Sequence, residues 1–177
     1  MTTEKKRKKT FVIDASAIFN GILSHNLHGK KYLPQCVTYG IEGMHRGEAL
    51  LEEITVKKDV VVTIPDKTAY AEVSIQANET GDIAELSECD MSVVALAYEL
   101  KSKNNLVEII TDDYDIQNLA NHMGIPYKGI YWKGITWVHD YTWVCTGCGF
   151  KSKKQMDTCF ECGSSMKKKV HRKKKRS

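Results

Sequence analysis

The chain has 177 residues, 42% of them hydrophobic and 27% charged, with a formal net charge of +4, which allows one ordinary domain plus a small appendage. A basic start (Lys5, Lys6, Arg7, Lys8, Lys9) is followed by no apolar signal region, and no run of about 18 apolar residues occurs, which argues against secretion and membrane insertion and predicts a soluble, cytoplasmic protein. The charge is segregated: residues 1–10 carry five basic and one acidic side chain, residues 145–177 eleven and two, and the stretch between them ten and nineteen.

Phe11-Val12-Ile13 reads as a short strand stopping at Asp14, with a helical pattern through Ala17, Ile18 and Ile22. Residues 29–34 read as a loop and Cys36-Val37-Thr38 as a short extended piece. Ile41, Met44, Ala49, Leu50 and Ile54 then suit one or two helices. Val60 to Ile64 is β-branched and closed by Pro65, a strand, after which Asp66 caps a helix over 67–79 that Gly81 ends. Ser87-x-x-Asp90 has the form of a capping box, and Met91, Val94, Ala95 and Tyr98 recur at helical spacing behind it. Val107 to Thr111 is a further strand ending at Asp112-Asp113, with a helix through Ile116, Leu119 and Ala120 that closes near Gly124. Strands alternating with helices predict an α/β fold with a parallel sheet.

Beyond Gly129 the character changes. Tyr131, Trp132, Trp137, Tyr141 and Trp143 crowd the connection to a tail holding Cys145-x-x-Cys148 and Cys159-x-x-Cys162. Aromatics in such a place pack two modules together or stack on bases, and packing is the more frequent use. Paired C-x-x-C knuckles converge on one tetrahedral metal ion; zinc is the expected occupant, although the same four sulfurs also take iron. A piece this small cannot bury an adequate core, so metal ligation must hold it together. The two remaining cysteines, Cys36 and Cys89, read as small buried apolar residues. Lysine-rich ends by themselves are ordinary solvated tails, but Lys151, Lys153 and Lys154 lie inside the knuckle region and point to nucleic acid. The resulting division is a basic tail over 1–10, a domain over 11–129, an aromatic linker over 130–140, a zinc ribbon over 141–168 and a basic tail over 169–177.

In an open parallel sheet, ligands bind beyond the carboxyl ends of the strands, where Asp14 and Asp112-Asp113 fall and to which Asp90 can point. Each acid has a structural alternative as a helix cap. Gathered without basic partners, carboxylates repel: two unit charges about 5 Å apart cost on the order of 3 kcal/mol at an effective dielectric of 20. Mg²⁺ or Mn²⁺ relieves that repulsion and brings water and a phosphodiester together, the chemistry of a nuclease. A haloacid-type phosphatase would need a second Asp where Ser16 stands. No Walker loop, dinucleotide fingerprint or nucleophile elbow is present.

With FVIDASAIF at the first strand, TGDIAELSECDMSVVALAYEL around Asp90, ITDDYDIQNLA around Asp113 and the four-cysteine ribbon, the chain resembles PIN-domain nucleases. Within them it is similar to the Nin-one-binding type of ribosome-maturation endonuclease in its compact archaeal form. The resemblance implies a PIN-like sheet with an appended ribbon, and it makes Asp14, Asp90 and Asp113 metal-binding acids with Asp112 beside them. The family's remaining acid falls on Glu42, with Glu48 as the other candidate. It further implies Mn²⁺- or Mg²⁺-dependent cleavage of precursor small-subunit ribosomal RNA at its mature 3′ end, on the pre-ribosomal small subunit and in the company of assembly factors, with the ribbon helping to bind RNA. Rival expectations are a toxin-like PIN ribonuclease acting on transfer RNA and a non-catalytic RNA-binding assembly factor.

Overall fold

Five parallel strands form the body: β1 (Lys9–Ile13), β2 (Lys30–Pro34), β3 (Val60–Thr63), β4 (Leu106–Ile110) and β5 (Tyr127–Lys128), in the order β3-β2-β1-β4-β5. The computed structural model describes residues 9–25, 27–57, 60–80, 85–103, 106–130 and 137–174. The chain lays down β1, β2 and β3 to one side and then crosses over to β4 and β5 on the other. The order therefore reverses between β1 and β4, the crevice in which such sheets bind ligands. Phe11, Val12 and Ile13 are buried because β1 is the central strand, paired on both sides.

Helices flank the sheet: α1 (Ala15–Phe19), α2 (Gln35–Glu42), α3 (Gly47–Val56), α4 (Lys67–Thr80), α5 (Glu88–Ser102) and α6 (Tyr114–His122). The expected apolar stripe on α5 is wider than its periodicity suggests. Met91, Val93, Val94, Ala95, Leu96, Ala97 and Leu100 are all buried, because α5 packs against β1, β2 and β4 while α4 packs along it. Asp66 caps α4 as expected, accepting from the Thr68 and Ala69 amides at 2.7 and 3.1 Å. The expected helix stop at Gly81 lies outside the described residues. No helix among the described residues is long and apolar enough to cross a membrane.

Two segments differ from their local expectation. The segment read as a loop, residues 29–34, contains β2, and the extended piece at Cys36-Val37-Thr38 is the first part of α2. Lys-Lys-Tyr-Leu-Pro carries no strand periodicity; pairing with β1 and β3 on its two sides makes it a strand. Cys36 and Cys89 are likewise not isolated apolar residues. They form a disulfide across a sequence separation of 53, with Cα atoms 5.7 Å apart. The bond fastens the start of α2 to the start of α5.

A second sheet, antiparallel and ordered β7-β6-β8, comprises β6 (Trp137–Cys145), β7 (Lys151–Ser152) and β8 (Met166–Lys174). Its pairs run from Trp137↔Lys174 to Cys145↔Met166, so the expected ribbon boundaries at 141 and 168 both fall inside paired strands. Residues 169–174 had the composition of a tail, but their backbone groups are bonded to β6. At the other end, Lys9 and Thr10 belong to β1 rather than to a tail.

The ribbon is seated on the body by polar contacts. The Asn118 amide donates to the His139 carbonyl at 3.0 Å and accepts from the His139 N–H at 2.9 Å, standing in for a neighbouring strand. Lys168 pairs with Glu85 and lies 3.8 Å from the centroid of the Tyr141 ring. Tyr141 is buried and Trp143 half-buried, so both serve packing; Tyr131 and Trp132 lie outside the described residues.

Closing a loop of this length restricts the unfolded chain, so Cys36→Ser lowers unfolding stability by about 4 kcal/mol in denaturant melts without reductant. Dithiothreitol should bring the parent protein down to the variant. Coincident melts before reductant is added would contradict the bond.

Candidate active site and metal centre

Asp14 is the first residue beyond β1, and its N–H donates to the Ile110 carbonyl of β4 at 3.1 Å, which holds the two strand ends together. It caps α1: Oδ1 accepts from the Ala15 amide at 2.6 Å and Oδ2 from the Ser16 amide at 3.2 Å. Oδ2 also accepts from the Ser16 hydroxyl at 2.6 Å and the Thr111 hydroxyl at 2.9 Å. Asp14 is 5% exposed. Burial pushes its carboxyl above the usual range, opposed by the Ser16 and Thr111 hydroxyls and the two amides.

The two hydroxyls reach further. Thr111 Oγ1 accepts from the Asp113 N–H at 3.0 Å, and Ser16 Oγ accepts from the Asp112 N–H at 3.1 Å. Each hydroxyl thus gives its proton to Asp14 and takes one from the backbone of the Asp112-Asp113 pair, coupling acids about a hundred residues apart in sequence. Neither hydroxyl stands out in the sequence as a site residue; Ser16 there only excludes the haloacid-type phosphatase pattern. The available signal was a hydroxyl two residues after one acid and another directly before the acidic pair, positions from which short side chains bond local backbone.

The acids divide by what their oxygens do. Asp113 caps α6 through Oδ1, accepting from the Asp115 and Ile116 amides at 2.8 and 3.3 Å. Asp90 completes the capping box with Ser87, its Oδ2 accepting from the Ser87 amide at 2.8 Å and hydroxyl at 2.7 Å. Among the described residues, neither Asp113 Oδ2 nor Asp90 Oδ1 receives a protein donor, so capping leaves each acid an oxygen for a cation. Asp112 has both oxygens engaged, Oδ2 by the Asn20 side chain at 2.7 Å and Oδ1 by the Ile130 amide at 2.8 Å. It acts as a brace between the end of α1 and the chain beyond β5.

Sheet order carries Asp14 and Asp113 to one crevice, and the Cys36–Cys89 bond ties the start of α5, next to Asp90, to the chain just past β2. The carboxylates do not close into a tight cage. Among the described residues, the one set of three or more Cys, His, Asp or Glu whose ligand atoms all lie within 4.8 Å of each other is Cys145, Cys148, Cys159 and Cys162. Mg²⁺ and Mn²⁺ suit the wider arrangement in chemical type, being hard cations that bind carboxylate oxygen, and Mg²⁺ usually keeps several waters between itself and the protein. Glu42 is the exposed last residue of α2, roughly 10 Å along that helix from its start, and Glu48 is exposed in the first turn of α3. The structure gathers neither within that distance of a pair of the aspartates.

In the ribbon, Cys145 and Cys162 sulfurs are 3.4 Å apart and those of Cys148 and Cys159 3.7 Å. A tetrahedron of sulfurs about 2.3 Å from zinc has edges of about 3.8 Å, so the set fits that ion. The Gly147 and Cys148 amides both donate to the Cys145 sulfur. Each knuckle ends on a glycine in the left-handed region, Gly149 at φ 76° and Gly163 at φ 72°, where a side chain would be strained. Ser164, through its hydroxyl and amide, holds Cys162 down to about 6. The Phe150 amide draws Cys148 down, yet the crowded sulfurs and burial push it up to about 12. Sulfurs this close repel as thiolates, and a shared cation relieves that repulsion. Among the described residues the ribbon's own buried cluster is Cys145, Cys159 and Met166, with Trp143, Phe150 and Met156 against it.

Residues 11–100 match the family model of the PIN domain of ribonuclease. The chain is 34% identical to Endoribonuclease Nob1 of Methanothermobacter thermautotrophicus across 91% of its own length and 93% of the relative's. It is 41% identical to Endoribonuclease Nob1 of Pyrococcus abyssi across 67% and 71% of the two chains. It is also 30% identical to Ribonuclease VapC1 of Thermoplasma acidophilum, covering 89% of this chain and 77% of that one. With the acids at the strand ends and the four-sulfur ribbon on the same chain, these matches show that the protein belongs to the PIN-domain ribonuclease family and, within it, to the Nob1 endoribonucleases.

Proposed function

We propose that this protein is a divalent-metal-dependent endoribonuclease that hydrolyses precursor small-subunit ribosomal RNA to form its mature 3′ end. The observation that carries the site is the pairing of Asp14 with Asp113 through the Thr111 hydroxyl, at the crevice where the strand order reverses. Asp14, Asp90 and Asp113 would hold Mn²⁺ or Mg²⁺. When bound, such an ion supplies an activated water and neutralises charge on the phosphodiester. Ser16 and Thr111 fix the orientation of Asp14 and keep its buried carboxylate satisfied, and Asp112 holds the strand end in place by bonding both Asn20 and Ile130. Glu42 or Glu48 would complete the acidic set only by a movement of α2 or α3. Zinc in the four-cysteine set would hold the ribbon, whose lysines would bind the RNA backbone in the context of the pre-ribosomal small subunit.

Asp14→Asn should reduce metal-dependent cleavage of a precursor RNA spanning the 3′ end roughly a hundredfold or more. Retained cutting at the parent rate would remove Asp14 from the reaction, whereas a parent protein that binds this RNA and never cuts it would favour the assembly-factor reading. Both carboxylate oxygens of Asp14 accept a backbone N–H, so the amide of Asn sets a donor against a donor, and Asp14→Asn should melt several degrees below the parent at pH 7 without divalent ions. Equal melting temperatures would show that the network tolerates the loss of one acceptor.

Chelation of zinc should change the fluorescence of Trp143 and disorder the ribbon while the α/β circular dichroism of the body persists, since the ribbon's nucleus cannot hold it alone. Unchanged fluorescence on complete zinc removal would show that the metal is dispensable. If about six lysines or arginines contact phosphates, RNA affinity should fall roughly a thousandfold between 50 and 200 mM salt in a binding titration. A flat response would remove the basic side chains from RNA binding.

A further inference from the structure

We propose that Phe160 is a stacking platform for one unpaired RNA base, an assignment that rests on RNA being the ribbon's ligand. Phe160 lies in the second knuckle between Cys159 and Cys162 and is 67% exposed, although it is among the largest apolar side chains of a module whose nucleus has only three buried residues. Its ring is not loose. It meets Phe150 edge to face, centroids 4.6 Å apart and planes at 77°, and Phe150 is itself packed against that nucleus. The Gly163 N–H donates to the Cys159 carbonyl at 2.9 Å and the Cys159 N–H to the Ser164 carbonyl at 2.8 Å, fixing the turn that displays the ring. An aromatic group held ready in this way loses little freedom when a partner covers it.

The surroundings select the partner. Lys151 follows Phe150 directly, Lys153 and Lys154 lie in the same segment, and all three are exposed. Among the described residues none of the three forms an ion pair. The nearby acids in sequence are Asp157 and Glu161. A bare ring in a ribbon that carries exposed lysines close in sequence matches one base and its flanking phosphates. The lysines read charge on any nucleic acid, but a ring can stack only on a base whose face is open, so Phe160 confers preference for single strands over duplex.

The test uses the full-length, zinc-loaded protein without Mn²⁺ or Mg²⁺, so that no cleavage occurs. The probes are a labelled single-stranded RNA of about twelve nucleotides and a blunt RNA duplex of the same length. Phe160→Leu retains an apolar contact for Phe150 but has no aromatic face; Phe160→Trp retains both. Phe160→Leu should weaken single-strand binding roughly 5- to 150-fold with an unchanged salt slope and unchanged duplex binding, and Phe160→Trp should bind like the parent. Zinc content and Trp143 fluorescence matching the parent confirm that the ribbon is folded. Parent-like single-strand affinity in Phe160→Leu overturns the assignment, and so does equal loss on both probes. Either result leaves the cleavage reading standing if the parent still cuts precursor RNA. A parent that binds neither probe removes the RNA-binding ribbon and the stacking assignment together.

Discussion

Burying Asp14 at the carboxyl end of β1 costs desolvation free energy that only directed donors can offset, and those donors determine how β1 and β4 finish. Two amides come from the first turn of α1, and two hydroxyls come from Ser16 and Thr111. Because each hydroxyl also accepts a backbone N–H from the Asp112-Asp113 pair, satisfying one carboxylate fixes the position of the next. A buried acid left without such donors would protonate or force the strand ends apart. The crevice is therefore stable as a polar network only when every member is present.

Capping and metal binding are usually weighed as alternatives for an acid at a helix start. In Asp113 and Asp90 they would use different oxygens. Asp113 caps α6 through one oxygen and Asp90 caps α5 through one oxygen, and in each the other oxygen takes no protein donor among the described residues. The caps also fix the direction of the carboxylates, since an N-cap side chain has little rotational freedom once bonded to the first turn. Asp112, adjacent to Asp113 and identical in chemistry, is bonded on both oxygens, by Asn20 and by Ile130. Sequence position alone cannot separate these roles.

The ribbon obeys a different energetic rule from the body. The body buries a continuous apolar cluster drawn from β1, β2, β4 and the helices, whereas among the described residues the ribbon's own cluster is Cys145, Cys159 and Met166, two of them from the four-cysteine set. Its order rests on the long β6–β8 pairing and on the four-cysteine set, which could hold a metal ion. Seating it on α6 through Asn118 and on Glu85 through Lys168 places a basic, aromatic-bearing module next to the loop that leads into Asp90. The two modules thereby meet along polar contacts, without merging their apolar clusters.

Features whose cause lies within a few residues were legible in the chain itself: β1 and β4 from apolar runs stopped by aspartate, the Ser87–Asp90 capping box, the Asp66 cap and the two C-x-x-C knuckles. The sheet class followed from their alternation. What the sequence did not disclose depends on partners far along the chain. Lys30–Pro34 is a strand because β1 and β3 flank it, Cys36 finds Cys89 because α2 and α5 start at the same edge, and Met166–Lys174 is a strand because β6 pairs with it. The separate fates of Asp112 and Asp113 were decided in the same way, by Asn20 and Ile130 reaching one and not the other. Local periodicity, capping and chelate spacing are written in neighbouring residues, but strand order and side-chain pairing are consequences of packing the whole chain. Tertiary structure alone decided which carboxylate oxygens take protein donors.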